Sequence, residues 1–203
     1  IHRFDYDTPI EETMEALDTL VKSGKVRALG ASSMYGYQFH NMQEVAKNNN
    51  WTLFSVMQNH YNLLYREDEH EMIPICQQYA VSLVPYSPLA GGHLTHRGWD
   101  SDSLRAKTDK VRRDKYDHAI DNDTIIIDRV SELAEKYNVS MAQISLAWLL
   151  KRGVASPIVG ATSIPHFEDA VKAVELELSD EDCRYLEEDY KPHSIVGLLP
   201  NTK

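Results

Sequence analysis

The segment "KVRALGASSMYGYQF", residues 25–39, contains the pattern that decides the fold. Its apolar run "VRAL" is typical of a buried strand, and small residues close it before the helical pattern "FHNMQEVAKNNN" begins. The same succession recurs along the chain, with strands predicted to begin near positions 1, 26, 55 and 82. Such spacings match a strand plus a returning helix, so we expect parallel strands.

Further elements follow a long polar stretch after Leu89. We expect a fifth strand at "ASPIVGA", residues 155–161, and two helices outside the repeat, over residues 123–138 and 179–190. Capping signals mark several helix starts. The candidate N-caps are Thr8 with Glu11, Ser140, Ser163, and Ser179 with Asp182. We expect Gly24 to end the first helix. The last residues are predicted to form a tail.

Two architectures suit five strands that alternate with helices: an open doubly wound sheet, or part of a (β/α)₈ barrel. The barrel usually needs about 250 residues. Because the chain has 203 residues, three βα units of a barrel would be missing. The first βα turn of this sequence lacks the glycine fingerprint of the dinucleotide-binding open sheet. An open sheet of five strands would also expose its edges unless the missing units or a partner covered them.

Composition limits the function classes. Hydrophobic residues make up 42% of the chain and charged residues 26%, which is typical of a globular domain. The net charge of −10 disfavours nucleic-acid or membrane partners, and no apolar run is long enough to span a bilayer. Cys76 and Cys183 lack metal-ligand spacing, so we expect no metal, reduced thiols and a cytoplasmic location.

Polar side chains close the predicted strands, at the edge where both architectures bind ligands. Ser32 and Gln58 on neighbouring strands would bind an amide, and Tyr86 would stack on a flat ring, which together suits nicotinamide. The alternative for each residue is ordinary packing or a bond to the backbone. The full set comprises His2, Ser32, Ser33, Gln58, Asn59, Tyr86, Ser87, Gly160, Ala161 and Thr162.

Candidate phosphate ligands come later in the chain. In "YSPLAGGHLTHR" the pair Gly91–Gly92 lets backbone N–H groups approach an anion. Arg97 and Arg105 would neutralise phosphates, although a solvated basic loop is the alternative. The helix that follows Ser163 offers its N-terminus to a phosphate, and a cap by that serine is compatible with this role.

Five segments taken in order resemble the aldo-keto reductase family, from His2 to about Asp189, and closest to its aryl-alcohol-dehydrogenase-like and potassium-channel-β-subunit-like members. They are "IHRFD", "GASS", "MQNHYN", "YSPLAGG" and "SPIVGATSIPHFEDAV". The resemblance implies an α/β fold, the (β/α)₈ TIM barrel, of which this chain carries the fourth strand onward. Residues 1–203 would form a single domain of five βα units with the two extra helices at 123–138 and 179–190.

The resemblance also implies site roles. His2 is the one member of the catalytic tetrad present, since the family's Tyr, Lys and Asp lie on earlier strands. The implied cofactor is NADP, with NAD as the alternative, because His166 and Ala170 stand where many members have Arg and Asn at the adenosine end. Ser33 stands where many members have Asn, which shortens one nicotinamide contact. The implied cofactor ligands are Ser32, Ser33, Gln58, Tyr86, Ser87, Pro88, Leu89, Gly91, Arg97, Arg105, Gly160, Thr162, His166, Asp169 and Ala170.

The implied function is NAD(P)H-dependent reduction of aldehydes or ketones to alcohols by hydride transfer, with a small carbonyl compound as substrate. Met34, Tyr35 and Trp99 are candidates for the substrate pocket. Two alternatives stay open: a nicotinamide-binding regulatory subunit with little turnover, and an inactive fragment. Open strand edges leave a homo-oligomer as a further option.

Overall fold

The computed structural model describes residues 1–99 and 115–198. It is an α/β structure that divides into two compact units. The first unit comprises Ile1–Asn59, Asp68–Val84 and the described residues from Ile195 onward. The second unit comprises His60–Glu67 and Pro85–Ser194. Each unit is described by itself below.

A parallel sheet forms the centre of the first unit. Its strands are β1 (Leu29–Ser32), β2 (Phe54–Gln58) and β3 (Ser82–Leu83), paired in the order β1-β2-β3. In the register, Ser32 pairs with Gln58 and Val56 pairs with Ser82. The expectation of parallel pairing is therefore confirmed for these three strands, although β1 begins three residues later than the predicted position 26.

Three helices belong to the first unit: α1 (Ile10–Lys22), α2 (Gly36–Asn48) and α3 (Met72–Gln78). The helices and the sheet share a core of large apolar side chains, which are removed from water almost completely. Its members include Met14, Phe39, Met42, Phe54 and Met57. Burial of such side chains is the main force that holds helix and sheet together.

Four helices build most of the described part of the second unit: α4 (Ile120–Tyr137), α5 (Met141–Lys151), α6 (Ile164–Lys172) and α7 (Asp180–Glu187). The core contains Ile126, Val130, Ile144, Trp148 and Leu186. The extra helices expected at 123–138 and 179–190 correspond to α4 and α7, with α4 starting earlier and α7 ending earlier than predicted. None of the described helices is long and apolar enough to cross a membrane.

The predicted caps have mixed outcomes. Ser140, Ser163 and Ser179 each accept a backbone N–H as the N-cap of their helices, and Gly24 follows α1 with φ of +74°, as expected. The predicted capping box at Thr8 is wrong. Its hydroxyl donates to the Asp5 carboxylate at 2.7 Å, so a nearer acceptor competes for it and Pro9 becomes the N-cap.

Two predicted strands are absent from the described residues. Residues 1–5 and 155–161 have no regular secondary structure. The Ile1 nitrogen lies 2.6 Å from the Gly30 carbonyl oxygen, and Ile158 N–H donates to the Pro85 carbonyl at 2.9 Å. A strand needs a ladder of such bonds, and Pro157 has no N–H to contribute to one.

The described residues of the predicted tail, 191–198, have no regular secondary structure, as expected. Contacts within the second unit fix the start of this segment. The Tyr190 hydroxyl and the His193 N–H both donate to the Glu67 carboxylate at 2.7 Å. His193 Nε2 lies 3.1 Å from Oδ1 of the buried Asp123.

Candidate active site

Paired strand ends in the first unit bring together the groups predicted to bind an amide. Ser32 and Gln58 are register partners, and the Ser33 N–H donates to the Gln58 carbonyl at 3.2 Å. Ser33 has a φ of +25°, so the chain turns at the end of β1. The sheet therefore presents two hydroxyl groups and one amide at the same edge.

The two serine hydroxyls differ in their partners. Ser32 Oγ accepts a hydrogen bond from the Arg3 guanidinium at 3.1 Å, and the same guanidinium donates to the His2 carbonyl at 2.7 Å. Ser33 Oγ is buried and finds no hydrogen-bond partner among the described residues. A buried hydroxyl without a partner is costly, so this atom suits a ligand that carries an amide.

His2, the candidate catalytic residue, is exposed in the first unit. A cleft of about 200 Å³ lies beside the end of β1 in this unit, and Met34, a predicted pocket residue, lines it together with Arg3, Phe4, Tyr6, Ser33, Gln38, Gly197 and Leu198. The hydroxyl of Tyr35, another predicted pocket residue, donates to the Leu198 carbonyl at 3.1 Å. Arg3 and Gln38 were not predicted: Arg3 follows the candidate His2 directly, and Gln38 lies three residues after the candidate Tyr35.

Tyr86, the candidate for nicotinamide stacking, belongs to the second unit and is half-buried. The His60 ring lies nearly parallel to it, with centroids 5.2 Å apart and planes at 11°. Lys115 Nζ donates to the Tyr86 hydroxyl at 3.3 Å and lies 4.6 Å from the ring centroid. Tyr86 therefore sits among aromatic and cationic neighbours within its own unit.

The turn after Tyr86 has the backbone form expected of an anion-binding loop. Ser87, Gly91 and Gly92 all have positive φ, at +54°, +65° and +107°. Pro88 is buried and Leu89 is half-buried, and the Leu89 carbonyl accepts the Gly92 N–H at 2.8 Å. A Cβ at Gly92 would meet nothing within 4 Å, so a ligand has room to approach this backbone.

The segment predicted to bind the adenosine end is largely open to solvent. Gly160, Thr162 and His166 are exposed, and a Cβ at Gly160 would meet nothing within 4 Å. Ala170 is half-buried. The surface before and within the first turn of α6 is therefore accessible to a phosphate or an adenine ring.

Asp169 has partners inside the second unit. Its carboxylate accepts hydrogen bonds from the Ser140 hydroxyl at 2.6 Å and from the Gln143 side-chain amide at 2.5 Å. These bonds tie α6 to the first turn of α5. The structure thus gives this carboxylate a role in helix packing, in addition to the cofactor role that the sequence implied.

Three predicted site residues are still to be placed: the phosphate-binding candidates Arg97 and Arg105, and the pocket candidate Trp99. Arg97 is exposed and pairs with the Asp128 carboxylate at 3.0 Å, a surface pair that a phosphate can displace at little cost. Arg105 lies outside the described residues. Trp99 belongs to the second unit, where its ring centroid lies 3.9 Å from that of His93.

Sequence reasoning missed the polar and aromatic residues that surround Tyr86. His60 and Asn62 follow Gln58 in "MQNHYN", where the resemblance drew attention to the glutamine alone. Lys115 and Tyr116 lie in the long polar stretch, which has no helical or strand periodicity to mark a buried position. Only the position of "NHYN" just beyond a strand end signalled a contribution to the site.

Comparisons with known proteins identify the family. A family model described as "Aldo/keto reductase family" matches residues 1–191. A Schizosaccharomyces pombe protein named as an aryl-alcohol dehydrogenase is 49% identical over 97% of this chain and 56% of its own length. An aldo-keto reductase of Fusarium vanettenii is also 49% identical, over 97% of this chain and 53% of its own length. The versiconal hemiacetal acetate reductase of Aspergillus parasiticus is 45% identical, over 96% and 57% respectively.

The chain therefore belongs to the aldo/keto reductase family. Its parallel α/β structure is consistent with part of the (β/α)₈ barrel that this family implies. The chain spans about half the length of the curated relatives it matches, between 53% and 57% for the three proteins named above.

Proposed function

We propose that the full-length protein is an oxidoreductase that reduces aldehydes or ketones to alcohols with NAD(P)H. The family match over residues 1–191 supports this proposal, as do relatives named as reductases and dehydrogenases. The observation that carries it is the buried, unpaired hydroxyl of Ser33 beside the Gln58 strand end. That arrangement suits the carboxamide of a nicotinamide ring.

The proposed cofactor ligands differ in the part of the dinucleotide that each one binds. Ser32, Ser33 and Gln58 hold the carboxamide through hydrogen bonds, and Tyr86 offers a flat ring for stacking. The bound nicotinamide supplies the hydride. The turn at Gly91–Gly92 and the exposed segment from Gly160 to Thr162 offer backbone N–H groups to phosphates.

His2 orients the carbonyl group of the substrate in this proposal. Hydride transfer to a carbonyl carbon leaves negative charge on the oxygen, so a hydrogen-bond donor at that oxygen lowers the barrier. The His2 side chain is exposed, so a small substrate can reach its imidazole. The substrate class is accordingly a small aldehyde or ketone.

NADP is the proposed cofactor and NAD is the alternative. Arg97 is exposed and carries a charge that suits the extra phosphate of NADP, whereas the uncharged Ala170 and the exposed His166 offer less to it. A regulatory subunit that binds nicotinamide with little turnover remains the second candidate. Its support is the resemblance of segments such as "YSPLAGG" to potassium-channel-β-subunit-like members of the family.

We further propose that the chain forms part of a single barrel domain, that the protein works in the cytoplasm, and that it forms a homo-oligomer. Cys76 and Cys183 are both free, in agreement with a reducing compartment. Size-exclusion chromatography with light scattering tests the oligomer, because a monomeric mass at micromolar concentration would contradict it.

The function is tested with Ser33→Ala and a matched control, Ser55→Ala. Ser55 lies on β2, is exposed, and donates to the Leu29 carbonyl at 3.2 Å. The loss of one hydrogen bond to the cofactor predicts a Kd for NADPH about 2- to 12-fold higher in Ser33→Ala alone. Turnover of NADPH with an aromatic aldehyde then separates a reductase from a regulatory subunit. Equal Kd values in all three proteins would contradict the assigned site.

A further inference from the structure

The ring of Tyr86 belongs to a stack of aromatic side chains in the second unit. His60 lies nearly parallel to Tyr65, with centroids 4.2 Å apart and planes at 17°, and nearly parallel to Tyr86, at 5.2 Å and 11°. His60 is only 4% exposed and Tyr65 only 2%. Tyr86 is the half-exposed member, so the stack leads from the interior of the unit to its surface.

A hydrogen-bond network fixes the orientation of the His60 ring. His60 Nε2 lies 2.8 Å from the hydroxyl of the buried Tyr116, whose ring meets the imidazole edge-on at 73°. Asn62 Nδ2 donates to the same hydroxyl at 3.0 Å. The Leu64 N–H donates to Asn62 Oδ1 at 2.9 Å, which assigns the two ends of this amide.

The imidazole of His60 and the hydroxyl of Tyr116 share one hydrogen bond. Asn62 Nδ2 also donates to the Tyr116 oxygen, which has two acceptor lone pairs, so the direction of the bond between this hydroxyl and His60 Nε2 follows the imidazole tautomer. Burial, and then the positive charges of Lys115 and His193, hold the pKa of His60 well below its ordinary value. Burial also raises the pKa of Tyr116, so its hydroxyl stays protonated.

The same network reaches the backbone beside Tyr86. Asn62 Nδ2 also donates to the Ser87 carbonyl at 2.9 Å, immediately after the tyrosine. An isolated parallel bridge joins the backbones of His60 and Tyr86. Tyr86 is not part of a regular strand. These contacts therefore fix the backbone of Tyr86, as a hydrogen-bonded ladder fixes a residue inside a strand.

We propose that His60 is a positioning residue for the cofactor: its ring sets the plane of Tyr86, and thereby the plane in which the nicotinamide stacks. This inference rests on the proposed function, because it takes Tyr86 as the surface that the nicotinamide ring contacts. His60 itself does not touch the cofactor. A phenylalanine at this position would also provide a flat ring. Histidine adds a hydrogen bond with the Tyr116 hydroxyl, which fixes the orientation of the ring.

The test compares two ligands that differ only in the nicotinamide ring: NADPH and 2′-phospho-ADP-ribose. In the full-length protein, His60→Ala should raise the Kd for NADPH about 2- to 13-fold, the range that one aromatic pair contributes. The Kd for 2′-phospho-ADP-ribose should stay unchanged. NADH and ADP-ribose replace this pair if the wild-type protein prefers NAD.

Two further variants separate the ring from the hydrogen bond. His60→Phe keeps a flat ring and should restore most of the NADPH affinity, whereas His60→Gln keeps a polar group without a ring and should not. Thermal unfolding of each variant verifies the fold. If His60→Ala does not fold, the comparison of the Phe and Gln variants provides the same answer.

Several results would overturn the proposal. Equal weakening of both ligands would show that His60 supports the fold alone, and unchanged NADPH binding in His60→Ala would show that Tyr86 needs no support. Equal NADPH affinity in the Phe and Gln variants would remove the role of the ring. If the wild-type protein bound neither ligand, the proposed function itself would fail, which is a different pattern from each of these.

Discussion

Replacement of His193 by alanine should destabilise the protein by about 3 kcal/mol. The Asp123 side chain is 0% exposed and the His193 side chain 5% exposed, and their nearest atoms are 3.1 Å apart. The variant leaves the Asp123 carboxylate buried without its partner, which is among the most expensive single changes. The backbone bond from residue 193 to Glu67 is retained, so the loss reports on the imidazole.

The stabilisation should depend on pH with a definite sign. Burial opposes protonation of His193, but the hydrogen bond and the charge of Asp123 outweigh it and raise the pKa of His193. Burial raises the pKa of Asp123 as well, although His193 opposes this shift. Both groups hold protons more tightly in the folded state. The contribution of His193 is therefore complete below its unfolded pKa of about 6.5 and is lost as the pH rises through its folded pKa.

Urea denaturation of the wild type, His193→Ala and Asp123→Asn at about pH 6 and about pH 8 measures the effect. His60 acts with the opposite sign, because its pKa is lowered in the folded state and its contribution is lost as the pH falls. The quantity to compare at each pH is therefore the difference in the free energy of unfolding between the wild type and His193→Ala. A difference below about 1 kcal/mol at about pH 6 would refute the reasoning.

Two other predictions concern the helices of the second unit. The pKa of Asp182 is lowered to about 2 although burial opposes this, because Lys136, Ser179 and Tyr137 donate to its carboxylate. Asp182→Asn should cost about 2 kcal/mol at neutral pH, and in the wild type this contribution should be lost as the pH falls below about 4, which acid titration of unfolding checks. Ser140→Ala removes both the α5 cap and a partner of Asp169 and should cost about 1 to 2 kcal/mol, whereas the exposed cap at Ser163, with a bond of 3.5 Å, serves as the control and should cost less in urea denaturation.

The fold was predictable where the signal is local. Alternation of apolar strand and amphipathic helix gave three parallel strands, and serine residues at helix starts marked three caps correctly. Thr8 shows the limit of such signals. Its spacing to Glu11 satisfies the capping pattern, but Asp5 is the partner in the structure, and a local pattern cannot rank two acceptors.

The strand ends were also predictable, and their surroundings were not. Ser32 and Gln58 pair as expected because parallel strands in register place their carboxyl ends together. The neighbours of Tyr86 come from residues 60–65 and 115–116, and only tertiary structure brings such segments together. Burial of a histidine or an asparagine leaves no periodic trace in the sequence, since each depends on a partner elsewhere.

His60 and His193, both in the second unit, have opposite pKa shifts for a reason that bears on the site. His193 has a carboxylate against its ring and favours the charged form, whereas His60 faces a hydroxyl and two other rings. Tyr65 contacts both, with centroid distances of 4.2 Å to His60 and 6.4 Å to His193. The positive charge of His193 lowers the pKa of His60, but burial contributes more. The loss of that charge at high pH therefore leaves His60 neutral, and the stack beneath Tyr86 keeps its form while the pair at His193 titrates.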